Sequence, residues 1–361
     1  MHSSPTAIPS PAVNASRSND MSKDLTTSEI DRQNILNNRY AVAEIEKAAG
    51  IQGIPFEGKT VVLKEQVAAF FEVTVRTVEN YLENYGPELA RNGYVVLNGN
   101  RLKSMKLAIQ ALNVPETDFG NIKKAPQLGI FDIRAFLNLA MLMTESHRAA
   151  LVRQMILDVV IDTINARTGG GTKYINQRDE DFIHSAFIED NYRKQFTDAL
   201  KDCVSMGNFK YAVYTDKIYV SIFREKSKEY RKILRLEEKD EVRGTFYSEV
   251  LDLIASYECG FADMLRAKSA ELGRMLTAFE TDSLFKQFEV QPLLKPLIEK
   301  ARNKMASRDL AFRDALHLQL KDYVTPLAPS EFERFIGEKS MELADRLEEA
   351  KDVMKRLKER E

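Results

Sequence analysis

Arg76, Thr77, Asn80, Tyr81 and Asn84 recur at steps of one and three within VRTVENYLENYG. On a helix that spacing gathers them along one side. Their types suit the edges of base pairs. A guanidinium makes paired hydrogen bonds with guanine, and a carboxamide makes them with adenine. Thr77 and Tyr81 suit phosphate oxygens or a thymine methyl. Downstream, Arg101, Lys103 and Lys106 offer cations for the phosphate backbone. Glu79 and Glu83, on the same stretch, repel phosphates. The eight polar and cationic residues form the candidate DNA-binding site.

The elements that must position them are legible nearby. Thr60 to Val62 reads as a short strand, followed by a helix from near Leu63 with Val67, Ala68 and Phe71 on its apolar face. Glu72-Val73-Thr74 is a tight turn. Thr74 can cap a second helix, Val75 to Tyr85, whose Val75, Val78 and Leu82 face the first. Short helix, turn, second helix is the plan of a helix-turn-helix. Tyr94 to Leu97 and Arg101 to Lys106 then read as strands about Asn98-Gly99, a preferred hairpin dipeptide. A hairpin directly after a recognition helix is a wing. Across 59–106, seven basic residues against five acidic ones leave +2. So small an excess predicts weak binding by one copy, and two linked copies would bind more tightly.

TVVLKEQVAAFFEVTVRTVENYL (60–82) resembles the N-terminal DNA-binding region of the virulence protein RhuM family. FDIRAFLNLAMLMTESHRAALVRQMILDVV (131–160) resembles the adjoining helical part, also seen in phage antirepressor-like and KilA-like regulators. YTDKIYVSIFREKSKEYRKILRL and RGTFYSEVLDLIASYE are more loosely similar to the C-terminal regions of these proteins. The resemblance spans about residues 55–260. It implies a DNA-binding protein of phage or mobile-element type and no known reaction.

The chain of 361 residues is long enough for two or three domains. The expected fold is mainly α: an N-terminal winged helix-turn-helix, helical domains, and a C-terminal coiled-coil-like helix. Residues 1–26, rich in Ser, Pro and Asn, read as a disordered tail, and Met21 looks like an ordinary protein start. The winged helix-turn-helix occupies 27–112. It opens on one helix over 27–49, with Ile30, Tyr40, Val42 and Ile45 apolar and Gly50 as C-cap. A helical subdomain follows at 130–168. Its first helix, capped by Asp132, is apolar on most sides. Its second is capped by Thr144 or Ser146, has Leu157, Val160, Ile161 and Ile164 on its inner face, and ends at GGG 169–171. A helical C-terminal domain spans 172–322, with a helix from Phe182 to Cys203 and breaks near Gly260, Pro292 and Pro296. Within it, 211–223 reads as a hairpin about Thr215-Asp216-Lys217 or as a helix. Over 330–361, Ile336, Leu343, Leu347, Ala350, Met354 and Leu357 follow heptad-like steps. That segment is either a coiled coil, giving a homodimer or higher oligomer through 336–361, or a terminal helix packed on its own domain.

Other chemistry finds little footing. Asp179, Glu180, Asp181, His184, Glu189 and Asp190 could in principle hold a metal, but a solvated acidic face is the simpler reading. His184 and His317 lack the glycine-rich anion loop of Fic-type transferases, and GGG lacks the Lys of a phosphate loop. Neither catalytic residue, metal site nor cofactor is expected. Cys203 and Cys259 read as packed, reduced thiols. No run approaches the roughly 18 apolar residues of a membrane span, so no membrane is expected and the setting is cytoplasmic, nucleoid-associated when bound to DNA. Fifty-two basic residues against fifty-four acidic ones give −2, which excludes a bulk polycation. The expected function is a regulator or antirepressor on double-stranded DNA. The alternatives are a toxin or defence effector acting through its helical C-terminal region, or a protein-interaction module.

Overall fold

The computed structural model describes residues 24–111, 122 and 125–337. The protein is mainly helical, with one small antiparallel sheet. The segment expected as one helix over 27–49 is two: α1 (Glu29–Asn37) and α2 (Arg39–Ala49). Asn38 divides them. Its backbone leaves the helical region, and its side-chain oxygen accepts from the N–H of Ala41 to cap α2. Asn competes with the helix for backbone bonds, which is why it starts helices more readily than it continues them. Gly50, at φ +55°, closes α2 in the left-handed conformation.

The sheet comprises β1 (Ile54–Phe56), β2 (Lys59–Leu63), β3 (Tyr94–Leu97) and β4 (Leu128–Asp132), ordered β1-β2-β4-β3. Between β2 and β3 run α3 (Lys64–Phe71) and α4 (Val75–Arg91). Val61 lies opposite Asp132, and Tyr94 opposite Phe131. Gly93, at φ +106°, joins α4 to β3, and a Cβ there would fall 2.0 Å from a carboxylate oxygen of Asp132. That close approach lets Asp132 accept from the N–H groups of Arg134 and Ala135 and so cap a helix over Ile133–Leu142.

The expected wing hairpin does not form. After Asn98 the chain enters α5 (Gly99–Ala111), and β3 pairs instead with β4. Leu102 and Met105 decide this. Three residues apart, both are buried against Leu97, Leu128 and Ile130, and only a helix presents both on one side.

Helix α6 (Ile133–Leu142) is buried on every side, as its composition predicts. Ser146 caps α7 (His147–Thr168) by accepting from Ala149, while its hydroxyl donates to the Phe71 carbonyl at 2.6 Å. One side chain thus ties the start of α7 to the end of α3. Gly169 ends α7.

The C-terminal body has its own apolar core. Helix α8 (Phe182–Cys203) packs along α11 (Ser248–Leu272). Residues 211–223 belong to a helix, α9 (Phe209–Phe223), with no hairpin. Tyr214, Ile218, Tyr219, Ile222 and Phe223 are all buried, and their steps of four, one, three and one fit a helix. Helix α10 (Ser227–Ile233) comes next. Gly260 does not interrupt α11. It lies inside the helix because a Cβ there would meet the Phe288 ring at 2.8 Å. The break near Pro292 does appear, between α12 (Ala278–Glu289) and α13 (Lys295–Arg308), whereas Pro296 sits in the first turn of α13, where a missing N–H costs nothing. A π-helical turn, Asp309–Arg313, extends α13. The last described helix is α14 (Pro329–Ile336), whose Phe332, Phe335 and Ile336 belong to the body core.

Ile336, the first of the heptad series, is fully buried in its own chain and cannot face a partner. The remaining heptad positions and residues 1–23 lie outside the described residues. The head, which comprises the described residues of 24–168, meets the body where Asn37 donates to the Leu327 carbonyl, the Leu327 N–H donates to Asn34, and the Tyr40 hydroxyl donates to Glu333. No described helix is long and apolar enough to cross a membrane.

Candidate nucleic-acid interface

Glu72, at φ +55°, ends α3 in the left-handed region, and the chain turns through Val73 into α4. Thr74 accepts from the Thr77 N–H at 3.1 Å, so the predicted cap is present. Val78 is fully buried and Val75 and Leu82 partly so, all packed against the head core. The opposite side of α4 is therefore fixed toward solvent. Arg76, Asn80, Glu83 and Asn84 are exposed there, with Thr77 half-buried. Beyond these, α4 continues past the expected end at Tyr85 to Arg91. It kinks at Tyr85, two residues before Pro87, as a ring without an N–H imposes.

Acidic neighbours restrain the cations on this face. Arg76 lies 3.2 Å from Glu83 and 3.7 Å from Glu79. Lys64 binds Glu79 at 2.7 Å, and that bond holds the Glu79 carboxyl below its usual range. The side chains of Asn80 and Asn84 take no part in these pairs. Arg148, at the start of α7, sits beside the turn, pairing with Glu72 at 2.8 Å and donating to the Phe70 carbonyl. Nothing in the local sequence around Arg148 links it to α4; the link is made by the packing of α7 on α3.

Tyr81 does not belong to the exposed face. It is buried, donates to Glu145 at 2.6 Å and accepts from the Thr144 N–H at 3.1 Å. Burial, then the Glu145 bond, pushes its phenol up. Three residues after Val78, it points inward with it. Its role is to hold α4 against the α6–α7 connection.

The three wing cations lie on α5. Arg101 forms a two-pronged pair with Glu57 at 2.8 and 2.6 Å, both side chains about half exposed. Lys103 is exposed. Lys106 is tied to the Ala125 carbonyl at 2.9 Å.

The acidic cluster of 179–190 is dispersed among ion pairs. Asp179 is buried, accepting from Arg334 and Ser248. Glu189 is buried beside Arg243. His184 is exposed. Among the described residues, no group of three or more His, Cys, Asp or Glu is placed to hold a metal ion. Cys203 is buried and Cys259 half-buried; neither forms a disulfide.

The sequence offers no sign of a densely paired polar cluster that lies in the body. His317 lies 2.8 Å from Glu225 through Nδ1 and 2.7 Å from Asp309 through Nε2. Asp309 also accepts from Tyr247 at 2.8 Å, and Arg313 donates to Tyr230 at 3.1 Å. All six are buried. Of the six only Arg313 reaches the lining of a cleft, and the bonds among the other five are structural.

No protein-family model, no curated protein and no solved structure matches this chain.

Proposed function

We propose that the head is a DNA-binding unit and the protein a regulator of phage or mobile-element type. The observation that carries this is the juxtaposition of α3, a three-residue turn and α4 with a sheet in which β4 lies between β2 and β3. That strand order behind a helix-turn-helix supports a winged-helix reading, with α5 following β3 in place of the expected wing hairpin. Helix α4 is then the recognition helix. Arg76 reads guanine, Asn80 and Asn84 read adenine, and Thr77 contacts phosphate. Arg101 and Arg148 bind the backbone once phosphates displace Glu57 and Glu72, and the exposed Lys103 binds it alongside them. Tyr81 is withdrawn from the contact set, and Lys106 contributes least.

Fluorescence anisotropy with labelled genomic fragments across a salt series tests the reading. Arg76→Ala combined with Asn80→Ala should weaken the preferred fragment tenfold or more, since each base contact is worth about 1–3 kcal/mol. Weak, sequence-independent binding should persist. Equal affinity of the double variant and the wild type for every fragment would overturn the assignment.

A further inference from the structure

We infer that the cleft between head and body binds a small amphipathic molecule, neutral or cationic, that carries hydrogen-bond acceptors. This is independent of what α4 contacts. The cleft holds about 430 Å³, within the range of small-molecule sites. Leu157, Ile161 and Ile164 of α7 form one apolar wall, and Phe312 and Phe332 of the body form the other. Ile161 is 55% exposed at this lining, although it belongs to the side of α7 whose neighbours turn inward. Water is a poor neighbour for that surface, and an apolar ligand a good one.

Polar groups in the wall narrow the chemistry. Asn34 and Asn38 are buried and line the cleft. Each has its side-chain oxygen engaged, Asn34 by the Leu327 N–H and Asn38 by the Ala41 N–H. In both, Nδ2 has no hydrogen-bond partner. Arg313 also lines the cleft, and its Nη2 is likewise unpaired, while Nε faces Asp309 at 3.4 Å. Buried donors without acceptors are unusual and costly. Three such donors on residues that line the cleft, two from the head and one from the body, call for an acceptor such as a carbonyl. Asp31, Asp158 and Asp314 complete the lining, Asp158 and Asp314 exposed and Asp31 half-buried. Three carboxylates against one guanidinium disfavour an anion and favour a neutral or positively charged ligand.

The full chain can be titrated with prodan, a neutral naphthalene ketone whose emission moves to the blue in apolar surroundings. Saturable, blue-shifted binding of one prodan per chain is expected, with the anionic probe anilinonaphthalene sulfonate at least tenfold weaker. Ile161→Trp should fill the cleft and weaken prodan at least tenfold, with circular dichroism and the melting temperature unchanged. Leu157→Trp serves as a second filling variant if the first fails to fold. Asp31→Asn with Asp158→Asn should narrow the gap between the two probes. Any of three results overturns the inference: no saturable prodan binding, stronger binding of the sulfonate, or wild-type affinity in a folded filling variant. Prodan binding lost as protein concentration and scattered mass rise together would assign the cleft to a second copy instead.

Discussion

At pH 7 His317 carries a proton, because Asp309 and Glu225 hold its two ring nitrogens. Burial opposes the charge, but the two carboxylates outweigh it and push the imidazole up to about 9. The folded value is above the ordinary 6.5, so the stabilisation is fully present below about pH 6.5 and is lost as the pH climbs through about 9. A shift of that size corresponds to about 3 kcal/mol. His317→Gln should therefore cost about 3 kcal/mol at pH 6 by urea unfolding, with the gap to wild type closing toward pH 9.5. A gap that stays constant over that range would show that the charge contributes nothing. The roles of Tyr81 and His317 are both illegible in the sequence. A tyrosine on a helix fits either side until its neighbours are known, and Asp309 and Glu225 reach His317 from eight and ninety-two residues away.

Helix starts are the most legible elements. Asp132, Ser146 and Thr74 each cap the helix after them, since a cap is a contact within three residues. Strand partners are the least legible. Asn98-Gly99 does turn the chain, but whether a strand or a helix comes after it depends on Leu128 and Ile130, which bury Leu102 and Met105. Residues 211–223 fit both hairpin and helix in the sequence because aromatic and β-branched residues suit both patterns. Gly93 shows how tightly two elements can be joined. Gly93→Ala would place a methyl against Asp132, disturbing the cap of α6 and the β3–β4 pairing together. A loss of about 2–4 kcal/mol is expected from strain plus a weakened cap, read as a lower urea midpoint at unchanged slope. A loss below about 0.5 kcal/mol would show that the junction relaxes freely.

For the molecule as a whole, the net charge of −2 conceals a head whose 59–106 segment is +2. Much of that small excess is engaged in Arg76–Glu83, Lys64–Glu79 and Arg101–Glu57 pairs. If the head binds DNA as proposed, so small an excess would make one copy weak, and a second copy on a neighbouring half-site would strengthen it. If 338–361 supplies the link, removing it should halve the mass measured by light scattering and weaken fragment binding at least tenfold. Unchanged mass would show that 338–361 does not link copies of the chain. The deletion spares Ile336, which the body core requires.

Composition and local pattern alone established a mainly helical chain, the starts of α3, α4, α6, α7 and α8, the α3–turn–α4 unit, and the absence of a membrane-length apolar helix among the described residues. Each of these depends on residues within about one or two helical turns of each other. The tertiary structure decided which side of α4 is left for solvent, turned Tyr81 inward, and replaced the wing strand with α5. It also assembled the His317 cluster and opened the cleft between head and body. Those features depend on which distant surfaces are buried together, and burial is a property of the packed chain rather than of any segment of it.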